Sequence, residues 1–128
     1  MPEVSDDARP NWLTRISIAV AGLLGAGGIA AAAAGSHAGD AALLGPLSLI
    51  ALTQAPAVLV LALLSRPRPL LKVGGLVIGA GALLFSADLA ARHFFGSGLF
   101  PFSAPLGGSL MIIGWSLVAV AGPFAPRR

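Results

Sequence analysis

The stretch from Leu43 to Leu64, LLGPLSLIALTQAPAVLVLALL, decides the fold: it runs for 22 residues without a charge. At about 1.5 Å per residue, a helix of that length crosses the roughly 30 Å hydrocarbon layer of a bilayer. One such run is compatible with a buried core helix, but three more lie along the chain. Ile16 to Ala34, ISIAVAGLLGAGGIAAAAA, gives 19 uncharged residues. Leu70 to Ala87 gives 18, with Lys72 near its start as the only charge, and Leu106 to Val120 gives 15, fraying toward Gly122. Four runs in succession, joined by short connections, predict an all-α membrane protein. The expected architecture is a four-transmembrane-helix bundle with helices over about 16–36, 43–64, 70–92 and 106–122, in a single integral membrane domain spanning 1–128.

Composition points the same way. Only 10% of the 128 residues are charged, whereas a soluble domain carries about a quarter. So few charges cannot cover a water-facing surface, so the bilayer is the expected partner for most of it. The chain has no cysteine, which excludes disulfides, thiolate metal sites and thiol catalysis. Arg9 and Arg15 ahead of the first run, with small residues up to Ala38 behind it, suggest a cleaved signal peptide. That apolar run is too long for such a segment, so it is expected to stay attached as the first span.

Four spans put both termini and the second-to-third connection on one side. That side holds Arg9, Arg15, Arg66, Arg68, Lys72, Arg127 and Arg128, seven of the eight basic residues, and the other holds only Arg92. The positive-inside rule makes the arginine-rich side cytoplasmic, so the topology is N-in/C-in, with a bacterial inner membrane as the expected location. These charges flank helix ends instead of forming one polar surface, and no nucleic-acid partner is expected. Trp12 sits before the first span, at headgroup level. On the opposite, outer side, FFGSGLFPFSAP holds four of the six phenylalanines, as in a loop lying at the interface.

The polar residues inside the spans are the candidate site. Asp88 lies about 27 Å along the third helix from Leu70. Arg92 follows at i+4 on the same face, in the favourable acid-to-base order. The pair reads as a local staple closing the helix end in preference to a proton or ligand site. His93 points about 100° away, toward the headgroups. His37 and Asp40, in GSHAGD, end the first helix on this outer side, and a hydrogen-bonded His37 tying helix ends together is expected there. No HExxH or i, i+4 histidine pair occurs, so no metal and no cofactor is predicted.

Gln54 lies near the middle of the second span, where its amide needs partners. Pro56 frees the carbonyl of Leu52 and marks a site for a kink. Trp115 is at mid-depth in the fourth span, and its N–H also needs an acceptor, so a Gln54–Trp115 contact is predicted. Glycines recur as packing positions: Gly22, Gly25 and Gly28 in the first span, Gly75 and Gly79 in the third, Gly107 and Gly114 in the fourth.

Gly35-Ser36-His37, Gln54, Phe85-Ser86, and Pro105-Leu106-Gly107-Gly108 followed by Gly114-Trp115 together resemble the family called domain of unknown function 423. That family includes small bacterial inner-membrane proteins and the eukaryotic transmembrane protein 256. The resemblance covers most of residues 16 to 122 and implies a compact four-helix membrane protein without an established activity. The family pattern has a histidine three residues after the glutamine, where this chain has Ala57, and often a small or hydroxyl residue where it has Asp88.

No nucleophile–base pair or metal motif is present, so an enzyme is not expected. The expected role is that of a non-catalytic accessory subunit docked on other membrane-protein subunits, of a respiratory or photosynthetic complex. The alternatives are a small transporter or channel component, and a binder of lipid or quinone beneath the phenylalanine-rich loop. His37, Ser86 and Pro105 to Gly108 are all expected at the outer end, where Asp88 and Arg92 join them and the charges fasten the first, third and fourth helices, with Gln54 and Trp115 deeper.

Overall fold

Each apolar run lies within a longer helix, and two of the four helices stop on a left-handed glycine. A computed structural model describes residues 11–65 and 68–124. Helix α1 runs Trp12–Ala38: the Asn11 side chain accepts from Thr14 N at 2.8 Å at its start, and Gly39 ends it with φ 78°. Only Gly takes that left-handed conformation without steric cost. Helix α2, Ala41–Leu64, begins two residues later and continues through Pro46 and Pro56. Helix α3, Pro69–Phe95, opens on a proline at its first position and is capped by Gly96 with φ 77°. Helix α4 is Ser103–Ala121, followed by a short 3-10 turn at Gly122–Phe124.

The helices exceed the predicted spans: α1 starts at Trp12 instead of 16, α3 reaches Phe95 instead of 92, and α4 starts at Ser103 instead of 106. The physical reason is that helical hydrogen bonding continues into the headgroup layer until a cap or a left-handed residue ends it. Pro105 falls in the first turn of α4, where its missing N–H has no intrahelical partner to lose. All four helices are long and apolar enough to cross a membrane, and no strand occurs among the described residues. The charged positions Arg9, Arg66, Arg127 and Arg128 lie outside the described residues.

Glycines set how the helices meet. Gly28 backs onto Leu52 and Ala51, Gly25 onto Ala55 and Gly35 onto Leu44, so α1 and α2 are antiparallel. Gly75 faces Leu61 and Gly79 faces Val58, which pairs α2 with α3 in the same sense. Between α3 and α4, Gly74 meets Gly114 and Gly81 meets Gly107. Helix α3 is the hub: it packs on α2 and α4 and touches α1, while α4 packs closely only on α3. Ile78 and Ala82 on α3 are fully buried, with Leu24, Ala51 and Val58 around them. Lipid chains are as apolar as these side chains, so close packing and hydrogen bonds hold the helices together, not exclusion of water.

Candidate functional site

The end of the bundle that carries the α1–α2 turn and the Gly96–Phe102 connection, the loop end, holds Asp40, Asp88, Arg92 and both histidines. Asp88, fully buried, lies two turns before the end of α3. Its Oδ2 accepts from Arg92 Nε at 2.9 Å; its Oδ1 accepts from Leu99 N at 2.9 Å and from the Ser103 hydroxyl. The connection therefore folds back over the carboxylate. A Cβ on Gly98 would run into Asp88 Oδ1 and come within 2.9 Å of Arg92 Nη2, so a larger residue there would have to displace the ion pair. Phe102, at φ 65°, makes the left-handed turn that aims Ser103, the buried first residue of α4, at the carboxylate. A buried carboxylate is tolerated when charge-assisted hydrogen bonds satisfy it, and here three donors do so. The Arg92 side chain is 44% exposed, so the pair reaches outward while its acid stays inside.

A second tie crosses to the other helices. His93 Nδ1 lies 2.6 Å from Asp40 Oδ2, joining the end of α3 to the α1–α2 turn. This corrects two expectations. The histidine that ties helix ends is His93, not His37, which is exposed and makes no hydrogen bond within the described residues. His93 turns toward Asp40 and not freely to the headgroups. Through the Ser103 hydroxyl, Asp88 fastens α3 to α4, and the His93–Asp40 contact fastens α3 to the α1–α2 turn.

Deeper in the bundle, Trp115 Nε1 donates to Gln54 Oε1 at 2.7 Å, the contact predicted from sequence. Gln54 Nε2 donates to Thr53 Oγ1 at 3.1 Å, and Thr53 in turn donates to Leu49 O at 2.7 Å. The bond bridges a groove of about 560 Å³ between α2, α3 and α4, otherwise walled by Ile50, Phe85, Met111 and Ile112. The Gly107-Gly108 pair divides its labour: Gly107 is pressed on Gly81, while Gly108 lines this groove with nothing near its Cβ position.

Ser86 lies elsewhere. It lines a second groove, of about 430 Å³, between α1, α2 and α3. Its Oγ is the only buried side-chain polar atom without a hydrogen bond among the described residues. No group of three metal-ligating side chains occurs among the described residues.

Sequence reasoning missed Ser103, Gly98 and the Gly74–Gly81 pair. The glycine pair has a legible signal, since its seven-residue spacing equals that of Gly107 and Gly114. Ser103 and Gly98 have none, because their roles exist only once the connection folds onto Asp88. No protein-family model, curated protein or solved structure matches the chain.

Proposed function

We propose that this integral membrane protein is a non-catalytic accessory subunit that docks against other membrane-protein subunits, of a respiratory or photosynthetic assembly. One observation carries the reading. Ala19, Gly22, Ala26 and Ala33, spaced three, four and seven residues apart, are exposed on one face of α1, and nothing in the chain comes within 4 Å of a Cβ on Gly22. Small residues on an outward face let a partner helix approach closely, which is how helices associate in lipid. The polar side chains support the same role: Asp88, Arg92, His93, Asp40, Gln54 and Trp115 are engaged with one another and hold the four helices in place. With the arginine-rich ends on the cytoplasmic side, the bundle sits N-in/C-in in a bacterial inner membrane.

A transport role asks for a polar path to Gln54, and the groove there is apolar, so that reading draws no support. The resemblance to the domain of unknown function 423 family agrees with a small four-helix protein and supplies no reaction. The test is mild detergent extraction from native membranes, followed by native gel electrophoresis and mass spectrometry. Co-migration with one large complex in a fixed ratio is expected for the wild type, and Gly22→Phe should release the chain from it. Migration alone or as a homo-oligomer overturns the proposal.

A further inference from the structure

The end of the bundle opposite the loop end holds a polar cleft that the packing of the helices does not use. Thr14 and Ser17 of α1, Ser65 at the C-cap of α2 and Lys72 of α3 line it together, so three helices contribute to it. The 27 residues of α3 span about 40 Å against roughly 30 Å of hydrocarbon. Its first turn, which carries Lys72, therefore lies at headgroup level.

Hydroxyls elsewhere in the spans are satisfied locally. Ser36, Ser48, Thr53, Ser109 and Ser116 each donate to a carbonyl of their own helix three or four residues back, as hydroxyls in membrane helices do. Among the described residues, the Ser17 and Ser65 hydroxyls make no hydrogen bond and Lys72 makes no ion pair. Ser65 is only 6% exposed. The one unpaired side-chain oxygen sealed from its surroundings is that of Ser86, so the Ser65 hydroxyl opens onto the cleft it lines. An unpaired hydroxyl on a residue more than nine-tenths buried, beside an ammonium without a counter-charge, forms a donor set for an anionic oxygen.

The cleft, about 10 Å³, has room for one water-sized group. A single oxygen enters it while the rest of the molecule stays outside. Water fits by size but brings no charge to Lys72. Leu61 and Leu76, each four residues inward of Ser65 and Lys72, make the inner lining apolar. Polar groups at headgroup level with apolar ones beneath them follow the order of a phospholipid, phosphate first and acyl chains below.

We infer that this cleft seats a phosphate oxygen of an anionic phospholipid, accepting from the Ser65 and Ser17 hydroxyls and from the Lys72 ammonium. Basic pockets between membrane helices bind such headgroups. The site is separate from the docking face of α1 and stands without it.

The test titrates the full chain, delipidated in mild detergent, with phosphatidylglycerol and reads the complex by native mass spectrometry. One saturable adduct is expected. Lys72→Met keeps the length of the side chain and removes its charge, and should weaken binding at least about tenfold. Ser65→Ala removes only the unpaired hydroxyl and should weaken it about fivefold. Unchanged melting curves verify that both variants keep the fold. Arg15, a cation at the same end, does not line the cleft, and Arg15→Gln should change the affinity by less than about twofold. No loss in Lys72→Met, or an equal loss in Arg15→Gln, makes the attraction a general one and overturns the site. Equal binding of phosphatidylcholine overturns the anionic assignment. Displacement of the lipid by an equal concentration of glycerophosphoglycerol, the headgroup without its chains, assigns the cleft to a free phosphate and overturns the lipid.

Discussion

Gly81 of α3 and Gly107 of α4 meet backbone to backbone. A Cβ on Gly81 would lie 2.6 Å from Gly107 O, and one on Gly107 would lie 2.7 Å from Gly81 O. One heptad away, Gly74 and Gly114 repeat the contact, with a Cβ on Gly114 2.9 Å from Gly74 O. Equal seven-residue spacings on two antiparallel helices keep both contacts in register along one seam. Since α4 packs closely only on α3, this seam, the Asp88 knot and the Trp115–Gln54 bond to α2 are what hold it.

Gly107→Ala should therefore cost about 1–3 kcal/mol by overpacking against backbone that cannot yield. The neighbouring Gly108→Ala, whose Cβ meets nothing within 4 Å, should stay within about 0.5 kcal/mol. Equilibrium unfolding in mixed micelles compares them, and equal costs would contradict the seam.

Asp88→Ala leaves the buried Ser103 hydroxyl without an acceptor and frees Leu99 N, and should destabilise by about 3 kcal/mol. Arg92→Ala removes a side chain that is 44% exposed and should cost no more than about 1 kcal/mol. Asp88→Asn, which keeps one acceptor oxygen, should fall between them. Thermal unfolding in detergent gives the order, and Arg92→Ala matching Asp88→Ala would make the ion pair, not the folded-back connection, the dominant contact.

The Gln54–Trp115 bond should appear as a coupling energy in a double-mutant cycle with Gln54→Leu and Trp115→Phe. Interhelical hydrogen bonds in membranes average about 0.6 kcal/mol and rarely exceed about 1.7 kcal/mol. Strictly additive single and double variants would show that the bond adds nothing to the bundle.

His93→Ala and Asp40→Ala should each loosen the α1–α2 turn, raising amide exchange from Gly39 to Leu44 about fivefold. His37→Ala, two residues from the same turn, should leave that exchange unchanged. A larger effect from His37 than from His93 would reverse their roles.

Much of the candidate site was readable along the chain because local spacing carried it. Asp88 and Arg92 are four residues apart, and helical geometry alone puts them on one face. Gln54 and Trp115 were paired from need: two polar side chains at the same depth in lipid have few other partners. His37 illustrates the limit. Its place at the end of α1 made it look like a tie, but the partner of Asp40 comes from 53 residues away on α3. Nothing local distinguishes the two histidines.

The sequence by itself determined the number of membrane helices, their approximate spans and the polar groups that had to be paired. Those properties follow from hydropathy, length and the cost of an unsatisfied dipole in hydrocarbon, which act segment by segment. The tertiary structure alone decided which helix is the hub, that Ser103 and Gly98 close over Asp88, that Asp40 pairs with His93, and that Ser86 faces a groove. In lipid no apolar face is driven inward in preference to another, so helix partners are chosen by close fit between specific backbones and by long-range hydrogen bonds. Those contacts exist only between residues that the chain brings together by folding.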